Sequence, residues 1–330
     1  MTFSRFRLLA LFVCLLAFSV GLYSQAGVAS LSGLLTDPSG AIVVGAQVTA
    51  TNQATQVSRT TVTDHSGYYT FVGMPVGVYD ISVNQSGFAG ERAIVTLDPS
   101  AKTRQDFHLA VAGATTQVNV AATAPEISRD DSSIGTVIEN QTVEETPLYQ
   151  RNWDDLIRLI PGVQMQRFTQ QSGSSVSGST GLFTIHGLND EQNDYILDGI
   201  DNNTFSENLQ ELSASAARPS VDAIGEFKLI SNAYTAAYGR SPGAQVDVTT
   251  KSGTDKFHGL LFEYLRNRVF DSNDYFTHKA GLPKPAEIQN QFGGNFGGPI
   301  LHSKLFAFFN YEGTRINQGV TRTSTVPLAN

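Results

Sequence analysis

Thr63-Asp64-His65-Ser66-Gly67-Tyr68-Tyr69-Thr70-Phe71, followed by Met74-Pro75-Val76-Gly77-Val78-Tyr79, is the most legible stretch of the chain. Asp64 and Gly67 bracket a tight hairpin turn, in which glycine supplies backbone freedom that other residues lack. Tyr69 and Phe71, two residues apart, point to one face of the following strand. Pro75 and Gly77 set the next turn. Further turn signals occur at Asp37-Pro38-Ser39-Gly40, Ser86-Gly87 and Asp98-Pro99-Ser100. The runs between them alternate. Ala46, Val48 and Ala50 share one face, with Gln47 and Thr49 on the other, and Val78 to Val83 reads the same way. Seven or so short strands at this spacing predict a small β-sandwich over residues 28–110. Asp64, Gly67, Pro75 and Gly77 each have a structural reason to be there, so this motif reads as scaffold before it reads as a ligand site.

Outward from the sandwich, Ala110 to Thr116 is a small-residue linker. A mixed zone runs over residues 114–253. Its best helix spans 152–160. Asn152 can cap it, Asp154 and Asp155 sit in its positive first turn, and Trp153, Leu156, Ile157 and Ile160 fall on one face. Pro161-Gly162 stops it. The Ser/Gly-rich residues 171–180 read as a mobile loop, and 232–238 as a second short helix ended by Gly239. From 254 to 330 the pattern changes to longer alternating runs with aromatics. Residues 258–267 put Leu260, Phe262 and Tyr264 on one face and Gly259, Glu263 and Asn267 on the other, with Leu261 and Leu265 as exceptions. Residues 290–298 set Phe292 and Phe296 against Gln291 and Asn295, and 304–312 align Leu305, Ala307, Phe309 and Tyr311. Such strands suit an outer-membrane barrel, and equally a soluble sheet with one wet face.

At the other end, Arg5 and Arg7 precede an apolar run from Leu8 to about Tyr23, with Ser24-Gln25-Ala26 after it. That order predicts a secretory signal peptide over residues 1–26, cleaved near Ala26; a retained transmembrane helix is the rival, but the run is short for spanning. Cys14, the sole cysteine of 330 residues, lies inside this run. The mature chain is therefore expected to form no disulfide and no cysteine-ligated metal site. The formal charge of −8 argues against a nucleic-acid partner, which calls for a basic surface.

The Thr63–Tyr79 motif resembles the carboxypeptidase regulatory-like domain, a transthyretin-like sandwich also grouped with carbohydrate-binding-like folds. The mixed zone resembles the plug of TonB-dependent receptors. Phe183-Thr184-Ile185-His186-Gly187, Tyr195-Ile196-Leu197-Asp198-Gly199, Val221-Asp222-Ala223-Ile224-Gly225-Glu226-Phe227-Lys228, Tyr234 to Gly239, Gly243 and Val246 to Gly253 follow the order of plug motifs. Gly187, Asp198, Gly199, Asp222 and Gly239 are the positions that the resemblance marks as structural or gating. His186 stands where plugs usually carry arginine, so that role is not transferred. Gln117-Val118-Asn119-Val120-Ala121 is similar to a TonB box, with Val118 and Val120 as its apolar pair.

Sandwich, plug and barrel start together resemble the Oar-like branch of this family. The resemblance implies a mainly β chain with an α+β plug and the beginning of a transmembrane barrel. A receptor barrel has about 22 strands, and only about 75 residues follow Gly253, so it also implies a truncated chain or a fragment. It implies a location in the outer membrane of a Gram-negative-type bacterium, with sandwich and plug on the periplasmic side or in the barrel lumen. The implied partners are a TonB-type energy-transducing complex, outer-membrane lipid, and an unidentified solute, carbohydrate among the candidates.

No catalytic constellation is legible. The six histidines at 65, 108, 186, 258, 278 and 302 lack zinc-motif spacing, and there is no nucleophile elbow or phosphate loop. No cofactor and no metal are expected. Asn189-Asp190-Glu191, Asp194, Asp198, Asp201-Asn202-Asn203 and Glu207 offer hard oxygens suited to calcium, but they lack the register of a calcium loop and fit a solvated loop as well. Two functions follow: a transport receptor that imports a large or scarce solute, and a non-transporting surface protein for carbohydrate binding or adhesion. An exported hydrolase is disfavoured by the missing motifs.

Overall fold

The computed structural model describes residues 28–112, 119–120, 133–148, 151–165, 183–188, 192–203, 216–232, 238–239, 242–273 and 275–319. The expected signal peptide, the Ser/Gly stretch 171–180 and Val118 lie outside the described residues.

The first module is a two-sheet sandwich. In one sheet β1 (Val28–Thr36) pairs antiparallel with β4 (Tyr68–Pro75) and parallel with β7 (Lys102–Arg104) and β8 (Phe107–His108). The other runs in the order β3 (Ser58–Val62), β2 (Gln47–Asn52), β5 (Gly77–Asn84), β6 (Glu91–Leu97) and β9 (Asn119–Val120). Alternation decides which side chains meet between the sheets. Ala46, Val48 and Ala50 are fully buried with Tyr79, Ile81 and Val83, while Gln47 is exposed and Thr49 half-buried. Tyr69 and Phe71 both point inward, their rings edge to face at 6.0 Å.

One expectation here needs correction. The Asp64–Gly67 turn exists: Gly67 N–H donates to Asp64 O at 3.0 Å, and Asp64 Oδ1 accepts from the backbone of Ser66 and Tyr68. It does not close a hairpin. β3 pairs with β2 and β4 with β1, so the turn carries the chain from one sheet to the other. The buried Thr63 hydroxyl anchors this corner, accepting from Ala46 N–H and donating to Val43 O. The Pro75–Gly77 turn makes a second crossing, because β5 belongs to the sheet of β2.

The second module is a five-stranded sheet in the order β10 (Ile134–Ile138), β15 (Ile224–Asn232), β16 (Gln245–Thr250), β13 (Asp194–Leu197), β14 (Ile200–Asp201), with β13 and β16 parallel. A ribbon of β11 (Val163–Met165) and β12 (Phe183–Ile185), helix α1 (Asn140–Glu145) and a helical turn at Trp153–Leu159 complete it. The expected apolar face is buried: Trp153, Leu156, Ile157 and Ile160 join Phe227, Leu229, Val246 and Val248 in one core. The helix itself is 3₁₀, with Asp155 N–H donating to Asn152 O and Ile160 N–H to Ile157 O. Asn152 makes no side-chain cap. Asp154 and Asp155 stand in the first turn as expected, and both are buried and paired, with Arg218 and Arg158. Asn232 ends β15 instead of starting a second helix; residues 233–237 lie outside the described set.

The third module is an antiparallel meander of β17 (His258–Asn267), β18 (Glu287–Leu301) and β19 (Leu305–Gln318), with α2 (Tyr275–Lys279) between the first two. The second and third strands, 15 and 14 residues long, extend beyond the expected 290–298 and 304–312. Register fixes the faces, since directly paired residues share one. Phe292 pairs with Gly313, Phe296 with Phe309, Gly294 with both Leu261 and Tyr311. Leu261, Leu265, Phe296, Phe309 and Tyr311 thus form one exposed apolar face, Leu261 being 88% exposed. Leu260, Phe262 and Tyr264 share the opposite face with Gln291, Asn295 and Glu312. The two leucines read as exceptions are the outward residues of β17. On that opposite face Phe262 and Tyr264 meet a cation. The glycines of Phe292-Gly293-Gly294-Asn295-Phe296-Gly297-Gly298 make room for the cross-strand rings, Gly293 beneath Phe262 and Gly298 beneath Phe257.

Candidate functional site

That cation is Arg151, at the seam between the second module and the inner face of the strand meander. Its backbone is left-handed, with φ of +55°, an unfavourable conformation for a non-glycine residue that tertiary contacts must hold. Nη2 pairs with Asp222, and Nε lies 3.9 Å from Glu312 on β19. The guanidinium sits over the rings of Phe262 at 4.4 Å and Tyr264 at 4.8 Å. One side chain of the second module thus meets two strands of the third through charge and π contacts. Gln291 Nε2 donates to Glu312 Oε1 at 2.5 Å, and Ser220 Oγ to Asn310 Oδ1 at 2.6 Å. Burial pushes the Asp222 carboxyl upward, opposed by Arg151 and then Lys251.

Beside Arg151 lies a cavity of about 620 Å³, lined among others by Glu144, Leu148, Tyr264, Arg266 and Gln291. The apolar core of the second module contains no residue of β17, β18 or β19. The seam is therefore polar, ion-paired and partly open. Such contacts exchange readily with water, unlike a shared hydrophobic core.

The residues singled out in the sequence are spread along this module instead of gathered at one point. His186 and Gly187 have φ of +53° and +77°, and Leu188 N–H donates to Ile185 O across them. Asp198 and Gly199, at +50° and +78°, make the matching turn between β13 and β14. Two successive positive φ values define the tight turn that suits the right-handed twist of the strands. Asp198 does more: its Oδ1 accepts from Thr250 N–H and its Oδ2 from Thr250 Oγ1, both at 2.8 Å, tying the hairpin to the end of β16. Asp222 stands on a short 3₁₀ turn opposite Arg151. Gly239 belongs to no strand or helix. Val120 lies in β9, beside Ala93 at the edge of the sandwich. Asp64, Gly67, Pro75 and Gly77 occupy the two corners between the sandwich sheets.

In the acidic stretch, Asn203 Nδ2 donates to Asp194 Oδ1 and Asp201 Oδ1. Asp198 and Asn202 instead bond outward, to Thr250 and Ala217; residues 189–191 and 207 lie outside the described residues, which contain no group of three or more metal-ligating side chains arranged to hold an ion. Sequence reading missed Arg151 and Glu312. No local signal marks them: Arg151 stands between a polar residue and the helical turn, and its partner Asp222 lies 71 residues away.

The model of the carboxypeptidase regulatory-like domain matches residues 30–110, that of the TonB-dependent receptor plug domain 128–244, and that of an outer-membrane β-barrel domain 249–330. The TonB-dependent transporter Oar of Myxococcus xanthus is 25% identical over 289 residues, covering 84% of this chain and 26% of that protein. The chain thus spans about a quarter of the length of this curated relative. Among solved structures, the outer-membrane transporter YddB from Escherichia coli aligns over 49% of this chain and 25% of its own, at 17% identity and a TM-score of 0.36. A streptococcal ancillary pilin aligns over 25% of this chain and 32% of its own, at 16% identity and a TM-score of 0.22.

Proposed function

We propose that this chain, which carries the regulatory-like sandwich, plug and barrel strands of a TonB-dependent outer-membrane receptor, serves to admit a large or scarce solute across that membrane. The observation that carries the reading is the Arg151 seam. A plug must hold against the barrel wall at rest and still yield when pulled. A few ion pairs and cation–π contacts around an open polar cleft meet both demands, because each lost contact can be replaced by water. The work is binding and conformational release, with no covalent step, and the family resemblance points to a receptor and away from an enzyme.

In this reading the exposed apolar face of β17 to β19 meets outer-membrane lipid, and sandwich and plug lie in the lumen or on the periplasmic side. Val118 and Val120 belong to the segment that a TonB-type complex engages. Asn119–Val120 already pairs by main chain with the edge of β6, which supports its capacity to add to another sheet edge. Gly187, Asp198, Gly199, Asp222 and Gly239 keep the plug's turns and seam in shape. The solute, carbohydrate among the candidates, would meet barrel loops beyond the described strands. Uptake of labelled glycans and metal chelates by cells carrying the receptor tests this. Deletion of residues 117–121 should abolish energised uptake while leaving surface binding intact. Surface binding without any uptake in the undeleted receptor would replace transport with an adhesion or carbohydrate-binding role.

A further inference from the structure

The plug sheet has two unlike faces, and both are covered. Phe227, Leu229, Val246 and Val248 face the apolar core. Their neighbours Glu226, Lys228, Gln245, Asp247 and Thr249 face the other way, yet Lys228, Gln245, Asp247 and Thr249 are all buried, Asp247 being only 1% exposed. Against this polar face lies the Asp98-Pro99-Ser100 turn between β6 and β7 of the sandwich. Ser100 Oγ donates to Asp247 Oδ2 at 2.5 Å, and Pro99 is buried. No residue is shared between the apolar cores of sandwich and plug. The described junction therefore rests on polar groups, and several are unsatisfied. Glu226 Oε1, Asp247 Oδ1 and both polar atoms of Gln245 are buried without a hydrogen-bond partner among the described residues.

We propose that the sandwich docks on this polar face as a proton-dependent latch, closed while Glu226 and Asp98 hold protons and released as they ionise. Asp98 faces Glu226 from the sandwich turn, Glu139 from the end of β10, and Asp247 from β16, with Asp198 acting in turn on Asp247. Among the described residues, Lys228 is the one cation acting on Asp98 and Asp247. Like charges in a dry junction repel, and ionisation there is costly. Burial, then Asp98, Glu139 and Asp247, push the Glu226 carboxyl from 4.5 to about 7. Burial likewise raises Asp98, and raises Asp247 against the opposing pull of the Ser100 hydrogen bond and Lys228. Docking that raises a carboxyl's proton affinity is favoured at low pH. Its contribution is full below 4.5 and is lost progressively as pH climbs through about 7.

Double electron–electron resonance on the full chain in detergent micelles tests the latch. Spin labels go on Val62→Cys in the sandwich and Leu159→Cys in the plug, both exposed, with Cys14→Ser as background. A single narrow docked distance is expected at pH 5, with the docked-to-released ratio falling by up to about tenfold per pH unit toward pH 7. Glu226→Gln should stay docked throughout that range. Asp98→Asn, on the sandwich side and outside the plug fold, should shrink the response while circular dichroism stays unchanged. A distance distribution that ignores pH, or a response left intact by Asp98→Asn and by a folded Glu226→Gln, overturns the proposal.

Discussion

Gly67 and Arg151 both adopt left-handed backbone, yet only Gly67 could be found by reading the chain. The demand at Gly67 is local: a turn of fixed size, φ of +75°, with Asp64 as its partner three residues before. A side chain there would also press on Ile42 and on Leu35 O, at 3.0 and 3.1 Å. Gly67→Val should therefore cost the sandwich about 1–3 kcal/mol from backbone strain alone, with crowding added. A calorimetric melt of the variant matching the parent would contradict that. At Arg151 the backbone strain is held by partners on other elements. Replacing it with methionine strands Asp222 and Glu312 in a partly dry seam, which should cost about 2–4 kcal/mol at neutral pH, the side chain being 15% exposed. The Asp222 carboxyl is already pushed up by burial, and losing Arg151 raises it further. A protonated carboxyl needs no cation, so the loss should shrink as pH falls. Melts of Arg151→Met at pH 5 and pH 8 that show equal losses would remove Asp222 from the explanation.

At the scale of elements, apolar periodicity identified the right faces more surely than the right helix type or strand orientation. Trp153, Leu156, Ile157 and Ile160 are all buried as their spacing requires, although the segment is 3₁₀. Contact with a sheet selects which residues turn inward, and over two turns an α-helix and a 3₁₀ helix present nearly the same set. Leu156→Asp should thus be severe, losing roughly 1.5–3 kcal/mol of apolar burial and adding a buried charge, while Arg158→Ala should be mild. Arg158 is 41% exposed and, among the described residues, pairs with its neighbour Asp155. Comparable losses on urea unfolding would undo the face assignment. β17 shows where periodicity fails. Both faces of the strand are apolar, so alternation cannot tell which side turns toward the plug. Arg151 resolves it by attracting Phe262 and Tyr264. Phe262→Ala should weaken the seam by about 1–2 kcal/mol, and Leu261→Ala, 88% exposed on the opposite face, should leave plug stability unchanged in detergent.

Across the whole molecule, each of the three modules announced itself in its own stretch, but their junctions did not. Ser100 with Asp247 and Arg151 with Glu312 are meetings of residues far apart in the chain, with no local pattern to declare them. The same separation governs what the chain can do by itself. β17, β18 and β19 form an open three-stranded sheet, and among the described residues β17 and β19 each leave one edge without a partner. In a bilayer those edge N–H and C=O groups find no water, and each costs several kcal/mol, so strands span only when the barrel closes. The smallest barrels of this kind use about 8 strands. The 330-residue chain reconstituted alone into liposomes should therefore neither conduct nor take up solute, and should bind the surface or self-associate through its exposed Leu261, Phe296 and Phe309 face. Planar-bilayer recordings paired with single-molecule counting decide the matter. Steady unitary conductance from one copy would mean that the edges close by some route other than added strands, and the reading of β17 to β19 as part of a larger barrel would have to be abandoned.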